Sequence, residues 1–215
     1  MIQLVWAIGL VNELSKSASR GMILPDRFDS ELGIFMAKVT TGTGDTGYTG
    51  LLGEQRVAKY DPRPDTFGTV DEATSALGLA RAVVQDQKVK EIVFRIQQEL
   101  YLLMGELATP PENYEKMGLC MTREHVEWLE QVEDELKQEV EIPNKFIIPG
   151  DTLDGAALDL ARTIIRRAER MAVKLLHDGV IQNTEVIRYL NRLSDLVFIL
   201  ARYIEVKSSL AQLPE

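Results

Sequence analysis

Cysteine and histidine are almost missing from this chain of 215 residues. Cys120 stands alone, so no intrachain disulfide can form, and the chain fits a reducing, cytoplasmic compartment. His125 and His177 are the only histidines and no Cys-x-x-Cys pair occurs, so no dedicated zinc or haem site is expected. Both histidines read as surface or helix-end residues. Excess positive charge is lacking too: 24 Lys and Arg stand against 33 Asp and Glu, a net charge of −9. That balance argues against a nucleic-acid binder held by diffuse positive charge. The apolar stretch Ile2–Val11 falls short of the ~20 residues that a membrane helix needs. No basic segment precedes it and no small-residue cleavage site follows, so no membrane partner is expected. Two phosphate-binding signatures are absent as well. No Gly-Lys pair follows the glycine-rich run in the Walker A manner. No strand–turn–helix unit surrounds that run as a dinucleotide-binding fingerprint requires.

What is present is a full complement of apolar residues, 45% of the chain, enough for a sizeable core. Residues 1–35 carry no sustained period and read as an N-terminal extension of uncertain role. The functional chain is expected to start near Met36, so that 36–215 form the working domain. Over that span five helical patterns recur: Thr69–Gln85, Val89–Ala108, Thr122–Val140, Leu153–His177 and Thr184–Glu205. Thr122 can cap the third, with Glu124 favoured in its first turn, and Gly179 can end the fourth. The prolines of Asp61–Pro64 are expected to block regular structure, and Ile142–Asp151 reads as a proline-bounded linker. No strand of any length is evident. The expected fold is an all-α five-helix bundle with a long N-terminal glycine-rich loop.

Three polar segments interrupt this pattern. Thr40–Gly53 (TTGTGDTGYTGLLG) holds five glycines and five threonines, which can turn tightly, present backbone N–H groups and donate hydroxyls to phosphate oxygens. Arg162–Arg170 (RTIIRRAER) places four arginines and one glutamate within nine residues. Asn191–Asp195 (NRLSD) adds an amide and a carboxylate. On the fourth helix Ala157, Ala161, Ile164, Ala168, Met171 and Leu175 share one face, and Arg162, Arg166, Glu169 and Arg170 share another. On the fifth, Asn191, Asp195 and Arg202 are expected along one polar stripe. Four like charges in close company are costly unless acids such as Asp71, Glu72 and Asp195, or a bound anion, offset them. Taken singly, a Gly/Thr loop is commonly just a loop and an arginine run a solvated helix face. Together they suggest a site for a polyanion such as a nucleoside triphosphate. An internal ion-pair network is the competing reading of the arginines.

These segments, in this order, resemble the PduO-type ATP:cob(I)alamin adenosyltransferases, a family of corrinoid adenosyltransferases. The matching pieces are TGTGDTGYTGLLG, the run Asp61–Glu72, KFIIPG at Lys145–Gly150, ARTIIRRAER at Ala161–Arg170 and NRLSD. The resemblance spans about Lys38 to Glu205. It implies homotrimers of five-helix bundles with active sites between subunits. The implied reaction moves the 5′-deoxyadenosyl group of ATP to the cobalt of a reduced corrinoid, cob(I)alamin or a relative, releasing triphosphate with Mg²⁺ as helper. By that resemblance Thr41, Gly42, Thr43, Gly44, Thr49 and Gly50 wrap ATP, and Lys59 reaches its phosphates. Arg166, Arg167, Ala168, Glu169 and Arg170 form the main phosphate-binding face, and Asn191 contacts the nucleotide. Asp71 and Arg162 match a pair that bridges subunits. Phe146 matches an aromatic that packs under the corrin, where exclusion of a lower axial ligand would ease reduction of Co(II) to Co(I). Arg166, Asn191 and Phe146 are the catalytic candidates. A reductase and an adenosylcobalamin-dependent acceptor enzyme are implied partners. Two positions depart from the family pattern: Thr46 in the loop and Asp151 after Pro149–Gly150, where the acid either alters the corrin mouth or caps the fourth helix. The alternative is a non-catalytic ATP- or corrinoid-binding module that senses or delivers cofactor.

Overall fold

The computed structural model describes residues 42–53, 55–113, 118–142 and 146–210. The extension 1–35, Thr41 and Lys145 lie outside the described residues. Five long helices form the body: α1 Pro62–Val83, α2 Gln87–Leu107, α3 Arg123–Glu139, α4 Leu153–His177 and α5 Glu185–Leu210. Helix α1 packs against α2 and α4, and α5 packs against α4 and α3. A two-stranded antiparallel hairpin precedes them, β1 Tyr48–Gly50 and β2 Arg56–Ala58, with Thr49 opposite Val57.

The prolines near position 62 do not block structure. They start it: Asp61 caps α1 by accepting from the Arg63 N–H at 3.0 Å, and Pro62 fills the first helical position. There its missing N–H is no loss and its fixed φ suits the helix. Asp86 caps α2 and accepts from Val89 N–H at 3.1 Å. Thr122 caps α3, where the Nδ1 of His125 accepts the Thr122 N–H in return at 3.1 Å. Helix α4 is capped by Thr152, which accepts from Gly155 N–H at 3.1 Å, so Asp151 is not the cap. Gly179, at φ 70°, closes α4 with Val180 N–H donating to the Leu175 carbonyl at 2.9 Å. Among the described residues no helix is long and apolar enough to cross a membrane.

The core fills along the expected helical faces. Ala157, Ala161, Ala168 and Ala172 of α4 are buried against a neighbour whose own buried face carries Ala73, Ala76 and Ala80. Small residues on both sides let the two backbones approach closely. Ile165 and Leu158 occupy the centre of the buried face of α4, whereas Ile164 and Met171 are only half-buried. The connection after α2 is tied down by Glu106, 1% exposed. Its carboxylate accepts the Met121 N–H at 2.6 Å and the Asn183 Nδ2 at 2.8 Å. Burial pushes the Glu106 carboxyl above its ordinary range even though both hydrogen bonds act the other way.

Candidate functional site

The glycine-rich run is a built loop rather than a slack connection. Asp45 N–H donates to the Gly42 carbonyl at 3.2 Å, and Gly47 N–H to the Gly44 carbonyl at 3.1 Å. Gly42 and Gly47 hold φ of 70° and 82°, conformations that side chains other than glycine's rarely adopt. Thr49 and Gly50 lie in β1 and are half-buried by the hairpin, while Gly42 and Thr43 are exposed. Lys59 folds over the loop: a Cβ on Gly44 would stand 3.1 Å from its Nζ. Arg56, which no motif in the sequence marks, ties the loop together from its exposed side. Its Nη2 donates to the Thr43 carbonyl at 2.8 Å and to the Tyr48 carbonyl at 3.2 Å. The hairpin is moored to the bundle by Leu52, whose N–H donates to the Ala108 carbonyl at 2.8 Å.

The second half of the site lies on α4 and α5. Arg162 and Arg166 line an open pocket of about 330 Å³ together with Asp195, Glu133, Lys137 and Phe198. Arg166 is exposed; its side chain makes no hydrogen bond or ion pair among the described residues, and its nearest opposite charge is Asp195. Arg170 turns back toward it and donates from Nη1 to the Arg166 carbonyl at 2.8 Å. Burial and the nearby Glu133 raise the Asp195 carboxyl above its ordinary range, while Arg192 and Arg166 oppose the shift. Asn191 joins the two polar motifs directly: its Nδ2 donates to Glu169 Oε1 at 3.0 Å. Arg192, a second residue that sequence reading did not single out, orients that amide by donating to Asn191 Oδ1 at 3.0 Å while reaching Glu130 at 3.2 Å.

Other residues of the expected set face elsewhere. Arg167 pairs with Glu72 of α1, on a different side of α4 from Arg166. Ala168, expected within the ATP-binding run, is fully buried, so its methyl packs in the core and not against a ligand. Arg202 does not continue the open stripe of Asn191 and Asp195. It is 2% exposed and pairs inside the bundle with Asp159 at 2.6 Å. Arg162 Nε donates to that same Asp159 at 2.8 Å. Asp71 is half-buried and makes no hydrogen bond or ion pair with the described residues of its own chain. Phe146 is 95% exposed and Ile148 80%, which excludes a core role for the aromatic.

Within one chain the two halves stay apart. The hairpin residues Leu51, Gln55 and Val57 line a separate pocket with Leu175 and Val180, at the far end of α4. From Arg166 to Leu175 the helix rises roughly 13 Å. Among the described residues no hydrogen bond or ion pair links residues 44–59 to the arginines of α4.

Known proteins are similar to this chain in sequence and in backbone. The model of the cobalamin adenosyltransferase family matches residues 39–204. A corrinoid adenosyltransferase of Mycobacterium leprae (strain TN) is 39% identical over 178 residues, covering 80% of this chain and 93% of that protein. The corrinoid adenosyltransferase PduO of Salmonella typhimurium is 37% identical over 164 residues, 76% of this chain but 48% of that longer protein. Among solved structures, a variant PduO-type ATP:corrinoid adenosyltransferase from Lactobacillus reuteri, complexed with cobalamin and ATP, superposes with a TM-score of 0.74 at 36% identity. That alignment covers 80% of this chain and 93% of the other. Agreement of this extent, in sequence and in backbone, has one consequence: the chain belongs to the cobalamin adenosyltransferase family.

Proposed function

We propose that this chain transfers the 5′-deoxyadenosyl group of ATP to the cobalt of a reduced cob(I)alamin or related corrinoid. The observation that carries the reading is Arg166, an exposed guanidinium free of hydrogen bonds and ion pairs among the described residues, on the wall of a pocket shared with Arg162 and Asp195, in a member of this family. Co(I) is itself the nucleophile: a Co–C bond forms at C5′, the C5′–O bond breaks and triphosphate leaves with its electron pair. No activated serine, cysteine or lysine is therefore required. The protein's task is to orient C5′ and to stabilise charge on the leaving triphosphate. Arg166 and Arg170 suit the second part, with Lys59 and the loop N–H groups closing over the nucleotide. Asn191, fixed by Glu169 and Arg192, suits the first. Mg²⁺ accompanying ATP would supply further charge neutralisation for the leaving triphosphate. Phe146 offers an open ring to a corrin face.

The working unit in this reading is a homotrimer in which one subunit's loop meets another's arginine cluster. Three observations support it. Among the described residues the two halves do not meet within one chain; Asp71 makes no hydrogen bond or ion pair with them while the terminal amino groups of Arg162 engage no such partner there; and Phe146, Ile148, Leu153 and Leu160 stand exposed. A cytoplasmic setting, a reductase that supplies Co(I) and an acceptor enzyme for the product complete the proposal. The test is anaerobic incubation with ATP, Mg²⁺ and chemically reduced cobalamin, following the cob(I)alamin spectrum. Loss of that spectrum at a catalytic rate is expected. An unchanged spectrum with folded protein would leave only a module that binds or delivers cofactor.

A further inference from the structure

The charges behind the pocket lie deeper than phosphate binding requires. Asp159 of α4 and Arg202 of α5 are each 2% exposed. Asp159 divides its two oxygens between two arginines. Oδ2 accepts from Arg202 Nη2 at 2.6 Å, inside the bundle, and Oδ1 accepts from Arg162 Nε at 2.8 Å, at the pocket wall. The same Nη2 of Arg202 reaches Glu205 Oε1 at 3.0 Å. Gly155 leaves the room for that contact, since a Cβ there would come within 2.6 Å of the Glu205 oxygen. The ring of Phe198, which also lines the pocket, lies beneath both guanidinium groups, 5.2 Å from Arg202 and 6.0 Å from Arg162.

Such a cluster is poorly explained by stability alone. Taking these charges out of water is costly, and apolar side chains of similar volume commonly serve a core as well or better. Arg202 Nε is moreover buried without a hydrogen-bond partner, a defect that a purely stabilising network would have no reason to keep. The geometry makes sense as an orienting device. A free arginine at a pocket wall samples many rotamers and must lose that freedom when it binds an anion. Here the Nε is already committed, one turn back along the same helix, to a carboxylate that a second helix holds still. The terminal amino groups of Arg162 then face their ligand or partner with little left to order.

We propose that Asp159, anchored by Arg202, is a positioning residue that sets the guanidinium of Arg162 at the wall of the pocket it shares with Arg166. The proposal rests on the adenosyltransferase reading for the identity of the anion. The test is a double-mutant cycle of Asp159→Asn and Arg162→Met. It is read in kcat/KM with cob(I)alamin supplied ready-made, and independently in the calorimetric Kd for MgATP, with thermal melts on each variant. Asp159→Asn should lower kcat/KM about 10-fold and weaken ATP about 5-fold in the wild-type background, and change either by less than about 2-fold once Arg162 is methionine. The same loss in both backgrounds, or no loss in a folded Asp159→Asn protein, overturns the proposal. Should Asp159→Asn fail to fold, Arg202→Lys replaces it: that change keeps the buried charge and shortens its reach. A loss that persists without Arg162 counts against the proposal there too. Should the wild type bind ATP yet leave cob(I)alamin unchanged, the adenosyltransferase reading fails, while the cycle in ATP affinity still decides whether Asp159 acts through Arg162.

Discussion

Truncating Arg166 to alanine should separate chemistry from folding more cleanly than any other change in the arginine cluster. Its side chain is exposed and makes no hydrogen bond or ion pair among the described residues, acting on Asp195 only through its charge, and its backbone carbonyl accepts from Arg170 at 2.8 Å. The truncation therefore removes no buried ion pair and opens no cavity, so stability should move by no more than about 0.5 kcal/mol. For a fold of this size that is a shift of about 2 °C or less in Tm. The kinetic cost is of another order. Negative charge grows on the triphosphate as the C5′–O bond breaks, and a fixed donor aimed at such charge contributes about 2.7–4 kcal/mol in the transition state. The corresponding fall in kcat/KM is about 10²–10³-fold. Much of it should fall in kcat, because the interaction strengthens as charge develops; a rise in KM alone would mean that Arg166 only holds ground-state ATP. The assay is anaerobic decay of the cob(I)alamin spectrum alongside thermal melting, with Arg166→Lys as a partial rescue. Near-normal turnover would remove Arg166 from the site. A collapsed Tm would recast it as a structural residue and refute the reasoning from exposure.

Sedimentation at micromolar concentration should show a trimer, and deletion of residues 1–35 should preserve both it and turnover; a monomer, or a large loss on deletion, counts against the respective claim. Asp71→Asn and Arg162→Met should be strongly coupled, because removing one member of a desolvated pair costs about 3–5 kcal/mol; simple additivity would exclude direct contact between subunits. Phe146→Ala should impair the reaction more when Co(II) must be reduced on the enzyme than when Co(I) is supplied, whereas equal losses would indicate a packing defect. Glu106 sets a pH dependence. Its folded pKa lies above the ordinary 4.5, so the folded state binds the proton more tightly and the stability this confers, full below pH 4.5, is lost as pH rises through the folded value. The Tm difference between wild type and Glu106→Gln should therefore shrink across that window, and a difference that stays flat or grows would contradict the assignment.

The helices were legible in the sequence because their apolar periods are long and their caps conventional: Thr122, Thr152 and Gly179 act where expected or one residue away. The errors have specific causes. Asp61–Pro64 carries both a breaker signal and a start signal, and only the neighbouring packing face decides between them. Since Thr66, Thr69 and Val70 are buried on the same face as Ala73, the helix extends back to Pro62 and the prolines become its first turn. The hairpin leaves no trace in the sequence pattern because strands of three residues are too short to alternate visibly. Helical spacing puts Arg202 on one polar stripe with Asn191 and Asp195, because spacing gives the direction of a side chain but not what waits there. Its partner Asp159 lies 43 residues earlier in the chain.

The site divides along the same line. RTIIRRAER and NRLSD were legible as one unit, and the Asn191–Glu169 hydrogen bond joins them, because each is a polar interruption of a strongly apolar helix. Glu133 and Lys137 of α3 also line the pocket, yet nothing in REHVEWLEQVEDELK sets them apart from ordinary solvated charges. Ala168 sits inside the arginine run but belongs to the core, since neighbours on a helix differ by about 100° and a motif read as a string crosses faces. The loop and the arginine cluster pose a different problem. Each is encoded locally, the loop by glycines at φ values that side chains disfavour and the cluster by its helical spacing. Their relation is not local, because in one chain α4 separates them by about nine residues of rise, roughly 13 Å. What would bring them together lies on the surface. Among the described residues Phe146, Ile148, Leu153 and Leu160 stand exposed and Asp71 makes no hydrogen bond or ion pair. Those are the features to expect where a second copy supplies the other half of the site.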